Sequence, residues 1–324
     1  MEVFKHNQPI IGFMSNAKKF AILSLTLVII SLGLLFVKGL NYGIDFAGGT
    51  VIQVKYSGDA PIQKVREILK KTKEYQEASV TYFGSNQEIA IRTKNTSKNV
   101  DVDISDQMRK LLKDTGKLEI RSVDMVGPAV GDELREKGLM AMILSILGIL
   151  AYISFRFEWR FALASVLALV HDVTISLGAL ALFQIDVNLP ILAAILTILG
   201  YSLNDTVIVF DRIREGIRTM KSTDLSEVID ESVTRTLSRT TLTSLTTFFV
   251  VLTLYLFGGE LLKGFSFTLL VGVVVGTYSS IFVASPILMW LKFSIKEFRA
   301  KEAEKLKRER EKEKMRAMYE QGTI

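Results

Sequence analysis

Six long apolar runs interrupt the chain: Phe20–Val37, Leu139–Phe155, Phe161–Phe183, Leu189–Phe210, Leu242–Phe257 and Phe265–Leu291. A bilayer core about 30 Å thick takes about 20 apolar helical residues to cross, and in lipid only a helix satisfies its own peptide groups within one segment. The pattern therefore predicts a polytopic α-helical membrane protein with six transmembrane helices. The first run is longer than the apolar part of a secretory signal and is followed by no small-x-small cleavage site, so it reads as an uncleaved anchor. A mean hydropathy of +0.31 excludes the two soluble domains that 324 residues would otherwise suggest.

Composition removes several kinds of chemistry. Cysteine is absent, which excludes a disulfide framework, thiolate metal sites and a cysteine nucleophile. The two histidines, His6 and His171, are too few for most histidine-based metal or catalytic centres. No phosphate-binding Gly-x-x-x-x-Gly-Lys-Ser/Thr is present. The expectation is a protein that is not an enzyme, holds no metal and needs no cofactor.

Basic residues set the orientation. Lys5, Lys18 and Lys19 precede the first run, Arg156 and Arg160 follow the second, and Arg212, Arg214, Arg218, Lys221, Arg235 and Arg239 follow the fourth. The opposite short loops hold no basic residue around Asp186 and only Lys263 near Glu260. The positive-inside rule then predicts both termini in the cytoplasm. The expected organisation is a cytoplasmic N-terminus (1–19), a first transmembrane helix (20–38), an outside domain (39–137), a five-helix membrane domain (138–291) and a charged cytoplasmic tail (292–324). Ser222–Leu237 carries an apolar face, with Asp224 and Glu227 at capping spacing, and reads as an amphipathic segment at 222–237 lying on the cytoplasmic surface. The tail alternates Lys/Arg with Glu and reads as a solvated helix or disordered segment, ahead of a role at anionic lipid or a ribosome-like surface.

Within the outside domain, strand-like alternation at Thr50–Tyr56, Ala78–Phe83, Glu88–Thr93 and Lys117–Met125 is interleaved with helical stripes at Ile62, Val65, Ile68, Leu69 and at Ile104, Met108, Leu111, Leu112. The order βαββαβ predicts a ferredoxin-like α+β fold. Its charges are scattered at surface spacing, which points to a rigid or moving module that binds something rather than to an active site.

Charges inside the spans are costly and mark function. His171 and Asp172 fall mid-way along the third run, Asn204 and Asp205 late in the fourth, and Arg239 just before the fifth, at the foot of a stripe formed by Thr236, Thr240, Thr243 and Thr247. A charged Asp205 attracts Arg239, and a protonated one releases it, which makes a switch. The competing reading has Arg239 snorkelling to the interface while Asp205 bonds Ser202 or Tyr201. For Asn204, Thr243 and Thr247 plain interhelical hydrogen bonding is preferred, and His171 with Asp172 either relays a proton or satisfies itself. Gly272-x-x-x-Gly276 on the sixth run is expected to be a helix-packing face.

Taken in order, Tyr42-Gly-Ile-Asp-Phe-Ala-Gly-Gly-Thr50, Val126-Gly-Pro-Ala-Val-Gly131, His171-Asp172-Val173, Gly200-Tyr-Ser-Leu-Asn-Asp-Thr206, Phe210-Asp-Arg-Ile-Arg214 and Arg239-Thr-Thr-Leu-Thr-Ser244 resemble the SecF family, membrane subunits of the bacterial export complex SecDF in the resistance-nodulation-division superfamily. The resemblance runs to about Trp290 and implies the cytoplasmic (inner) membrane, a periplasmic ferredoxin-like domain and a partner SecD. It further implies association with the SecYEG channel, with SecA and YajC, and use of the proton gradient to draw an exported preprotein outward. By motif, Asp205 corresponds to the family's proton-responsive carboxylate and Arg239 to its basic partner, with Asp172, His171 and Asn204 as further proton-coupling candidates. Protons are then the only small species handled. Membrane lipid is a partner and nucleic acid is not. Two rival readings are a small-molecule or lipid transporter half and a passive scaffold of the channel complex.

Overall fold

The computed structural model describes residues 9–94 and 104–320; Lys5, His6 and the last four residues lie outside them. The chain enters through α1 (Ala17–Val37) and a two-residue strand β1 (Asn41–Tyr42), then passes a short turn of helix α2 (Ile44–Ala47). A sheet domain follows: β2 (Gly49–Tyr56), α3 (Ile62–Lys71), β3 (Ser79–Phe83), β4 (Ser85–Thr93), α4 (Ile104–Leu111) and β5 (Leu118–Val126). The remaining chain is helical: α5 (Pro128–Arg156), α6 (Trp159–Phe183), β6 (Asp186–Val187), α7 (Leu189–Thr219), α8 (Leu225–Phe257), α9 (Gly259–Ser279), α10 (Ser285–Trp290) and α11 (Ile295–Glu320). A π-helical segment, Ser280–Ala284, joins α9 to α10, and among the described residues six helices are long and apolar enough to cross a membrane.

In the sheet domain all pairings are antiparallel, in the order β3-β4-β2-β5. Alternation along β2 turns Ile52, Val54 and Tyr56 inward, where they meet Val65 and Leu69 of α3 and Met108 of α4 in one apolar cluster. Burying a side chain such as Leu69, 1% exposed, stabilises the fold by about 1.5–3 kcal/mol. Both chain connections to the helices pass a tight crossing at Gly48 (φ 69°). A Cβ there would sit 2.9 Å from Pro128 Cα, and one on Gly131 would sit 2.9 Å from Gly48 N. These glycines let α5 start directly against the sheet domain, so α5 begins eleven residues before its apolar run.

Among the spans, α6, α7 and α9 are buried along about half of their apolar windows, whereas α1, α5 and α8 are buried along under a fifth. Small residues permit the close contacts, as expected where lipid tails remove the hydrophobic drive for helix pairing. On α9, a Cβ on Gly272 would lie 2.2 Å from Ile198 Cγ1 and one on Gly276 would lie 3.0 Å from Ser202 Cβ, so the expected Gly-x-x-x-Gly face packs against α7. On α1, Ser24 and Ser31 are buried, and Ser31 occupies the space a side chain at Gly178 of α6 would need.

The segment 222–237 differs from expectation. It is no separate surface helix but the first part of α8, which continues unbroken into its apolar half. Its apolar face, Val228, Ile229 and Val233, is fully buried with Ile213 and Ile217 of α7. An apolar stripe looks the same whether lipid or another helix covers it, and here α7 runs past its own apolar run to supply the cover. The tail forms α11, anchored at its start by Arg299, which donates to the carbonyls of Ile217, Met220 and Ser222 at the end of α7. From 303 to 316 it is exposed.

Candidate functional site

Asp172 lies in the middle of α6 and is fully buried. Its Oδ2 accepts from Ser202 Oγ of α7 at 2.5 Å and from Ser279 Oγ of α9 at 2.7 Å, and His171 Nδ1 is 2.8 Å from Oδ1. With Asp172 ionised, His171 donates from Nδ1. A buried carboxylate without donors would cost several kcal/mol, so these contacts make the charge tolerable and tie three helices together. The His171 ring stacks on Tyr278 at 6.3 Å between centroids, and its buried Nε2 has no partner among the described residues. Tyr278 in turn donates to the Phe20 carbonyl at 2.9 Å and pairs with Ser24 Oγ at 2.8 Å, which brings α1 to the same cluster.

Asp205, one helical turn beyond Ser202 on α7, is 1% exposed. It accepts from Ser244 Oγ of α8 at 3.2 Å, and Ser244 accepts from Thr277 Oγ1 of α9 at 2.7 Å. The Asn204 amide adjoins this carboxylate, although Asn204 is itself exposed. Thr277 and Ser279, two residues apart on α9, thus serve the two carboxylates separately. The hydroxyls Ser202, Ser244, Thr277 and Ser279 make α6, α7, α8 and α9 one polar interior.

Arg239 is placed differently from the expectation. Among the described residues no ion pair joins it to Asp205; its charge acts on that carboxylate through space, and the residue is exposed. The inward face of α8 is Thr236, Thr240 and Ser244, while Thr243 is exposed and Thr247 half-buried. Thr240 Oγ1 is buried with no partner among the described residues. The geometry therefore brings Asp172 together with His171, and Asp205 with Asn204 and Ser244, but leaves Arg239 one step away. In the sequence Ser244 appears only as the end of a motif, and Thr277, Tyr278 and Ser279 carry no reading; the run Thr277-Tyr278-Ser279-Ser280 inside an apolar span is the signal for them.

A family model described as protein export membrane protein SecD/SecF, C-terminal, matches residues 107–294, and the SecD/SecF GG motif matches residues 33–60. Over all 324 residues the chain is 47% identical to the protein translocase subunit SecF of Helicobacter pylori strain J99, covering 100% of each. The chain belongs to the SecF family. It is 45% identical to the protein translocase subunit SecF of Vibrio alginolyticus, over 87% of this chain and 90% of that one. Among solved structures it resembles SecDF, a translocon-associated membrane protein from Thermus thermophilus, at 36% identity and a TM-score of 0.81. That likeness covers 88% of this chain and 39% of the SecDF chain. A SecDF structure in a super-membrane-facing form matches at 34% identity and a TM-score of 0.67, over 93% of this chain and 41% of that one. This chain therefore spans about two fifths of the solved SecDF chains.

Proposed function

We propose that the chain is a proton-responsive subunit of the Sec export machinery, acting with a SecD partner to promote late preprotein translocation across the bacterial inner membrane. The observation that carries this reading is the pair of buried carboxylates, Asp172 and Asp205, set in hydroxyls drawn from three helices. When Asp205 is ionised it accepts from Ser244 and attracts Arg239. Once protonated it becomes a donor itself, the attraction to Arg239 ends, and α8 is free to shift against α7. One charge crossing a potential of 100 mV is worth about 2.3 kcal/mol, enough to tilt two packings of helices and too little to unfold a domain.

The sheet domain then lies in the periplasm and both termini in the cytoplasm, a placement supported by the basic residues at the opposite ends of the helices. The strand order β3-β4-β2-β5, in which each βαβ unit is split by a strand of the other, supports the ferredoxin-like reading. Movement reaches the domain through the Gly-rich crossings at Gly43, Gly48, Gly49 and Gly127. SecYEG, with SecA and YajC, and the preprotein are the remaining partners of this reading. No cofactor takes part; protons are the species carried.

Gradient-dependent export into vesicles containing the complex tests the switch. Asp205→Asn keeps the shape and cannot ionise; the complex should assemble at wild-type level and the gradient-dependent part of export should vanish. Arg239→Met should do the same, and Arg239→Lys, which keeps charge without the planar fork, should retain part. Undiminished gradient-dependent export by Asp205→Asn would return this carboxylate to a packing role. Because the chain has no cysteine, orientation is tested separately: Ser85→Cys should react with an impermeant thiol reagent outside cells, and Ser222→Cys should not.

A further inference from the structure

The loop between α6 and α7 is joined to the sheet domain by contacts that neither chain connection requires. β6 in this loop pairs in parallel with β1, Asn41 opposite Asp186 and Tyr42 opposite Val187, and Gly43 N donates to the Val187 carbonyl at 2.8 Å. The Asp186 carboxylate is divided between two partners. Oδ1 accepts from Asn41 Nδ2 at 2.5 Å, and Oδ2 forms an ion pair with Arg92. Arg92 sits on β4, in register with Val51 of β2 on one side and Ser79 of β3 on the other, so it is held by the body of the sheet. Just beyond, Asn188 Oδ1 accepts from Ile191 N at 3.1 Å and Asp45 Oδ2 accepts from Leu189 N at 2.9 Å. The first turn of α7 is thereby capped from its own chain and from the segment that leads into the sheet domain.

Asp186 therefore stands where three bodies meet: the end of α6, which carries Asp172; the start of α7, which carries Ser202 and Asp205; and the central part of the sheet. The crossings at Gly48 and Gly131 fix the sheet domain to α2 and α5, but α5 contributes no side chain to the two-carboxylate network. A displacement of α6 and α7 that passed only through α5 would have to travel around that network rather than from it.

We infer that Asp186 is a positioning residue, clasped by Arg92, through which the α6–α7 pair and the sheet domain move as one. This rests on the proton-driven reading above and assigns, beside the Gly-rich crossings, a second place where membrane movement is handed to the domain. Asp186 touches neither carboxylate of the network and no reacting proton. Its role is to keep two bodies in step, so a covalent tie between the same two points should replace it, which no general loss of folding would allow.

The test uses the assembled complex with its partner, whose own cysteines are removed. Asp186→Asn and Arg92→Gln should assemble at wild-type level and each lose gradient-dependent export by roughly two- to fivefold, the scale set by a half-exposed ion pair. The double variant Arg92→Cys with Asp186→Cys should show the same loss. Bridging its thiols with a short bis-methanethiosulfonate linker should restore export, and reductant should abolish the restoration. Failure of the linker to bridge the two positions, equal export before and after bridging, or wild-type export by Asp186→Asn would each overturn the inference. Asp205→Asn measured alongside separates the two ideas: its silence counts against the proton switch, whereas the response to the linker reads the clasp in either case.

Discussion

The sheet domain and the membrane helices keep their charges in opposite places. In the sheet domain the centre is Ile52, Val54, Val65, Leu69, Ile89, Ile91, Met108 and Leu112, and ion pairs such as Lys55 with Glu88 are at the surface. Among the helices the outer faces of α1, α5 and α8 carry Ile22, Leu25, Leu144, Leu147, Phe249 and Val250, while the centre holds Asp172, Asp205 and their hydroxyl partners. Water lets the first region carry its charges outside, whereas lipid sends the second region's charges inward, beside a buried apolar cluster that includes Phe161, Phe210 and Ile213. The sheet domain is held by apolar burial driven by water; in the bundle apolar packing is joined by small-residue contact and interhelical hydrogen bonds around the carboxylates.

Three substitutions sharpen that contrast. The largest effect is expected from Leu69→Ala, which leaves a void in a core with no polar substitute. It should destabilise the sheet domain by about 2–5 kcal/mol, seen as earlier proteolysis of that domain in thermal challenge while the helices stay intact. Next comes Gly272→Ala, whose Cβ would meet the buried Ile198 at 2.2 Å. Separating α9 from α7 should cost about 1–3 kcal/mol and appear as a reduced yield of assembled complex, with the sheet domain unaffected. The smallest is Asp172→Asn. Serine hydroxyls rotate and imidazole changes tautomer, so Ser202, Ser279 and His171 can all adapt to an amide. Stability should change by about 1 kcal/mol or less, and gradient-dependent export should fall less than in Asp205→Asn. Equal losses in the two variants would mean that both carboxylates exchange protons on the same footing.

The sequence reveals the spans because their apolar runs are long, and the sheet domain because the alternation in Gly49–Tyr56 and Ser79–Phe83 is regular. It misleads where an apolar face has two solvents to choose from: Val228, Ile229 and Val233 face α7 and not lipid. In the site, Asp172 and Asp205 are legible because an intramembrane charge is rare. Their partners are not, since most hydroxyls in these helices bond their own preceding turn. Ser165, Ser176, Thr174 and Thr197 all do so. Only the packing of one helix on another decides that Ser202, Ser244 and Ser279 reach across instead. Arg239 teaches the reverse: its spacing put it beside Asp205, but its own helix face turns it outward.

The π-helical segment Ser280–Ala284 has a bearing on how this interior can change. It precedes Pro286, which has no N–H to offer the preceding turn, and Ser285 Oγ donates to the Ser280 carbonyl at 3.1 Å. A π-turn holds one residue more than an α-turn, so the two ends of the span are out of phase by about 100°. That offset allows Ser279 to point at Asp172 while Ile287 and Leu288, further along, still pack inward near Phe161. The segment acts as a vernier. If the surplus residue migrated one turn toward α9, Ser279 would rotate off the carboxylate without any residue of α10 leaving its seat, so a contact could be exchanged at one level of the membrane while the level below stays locked.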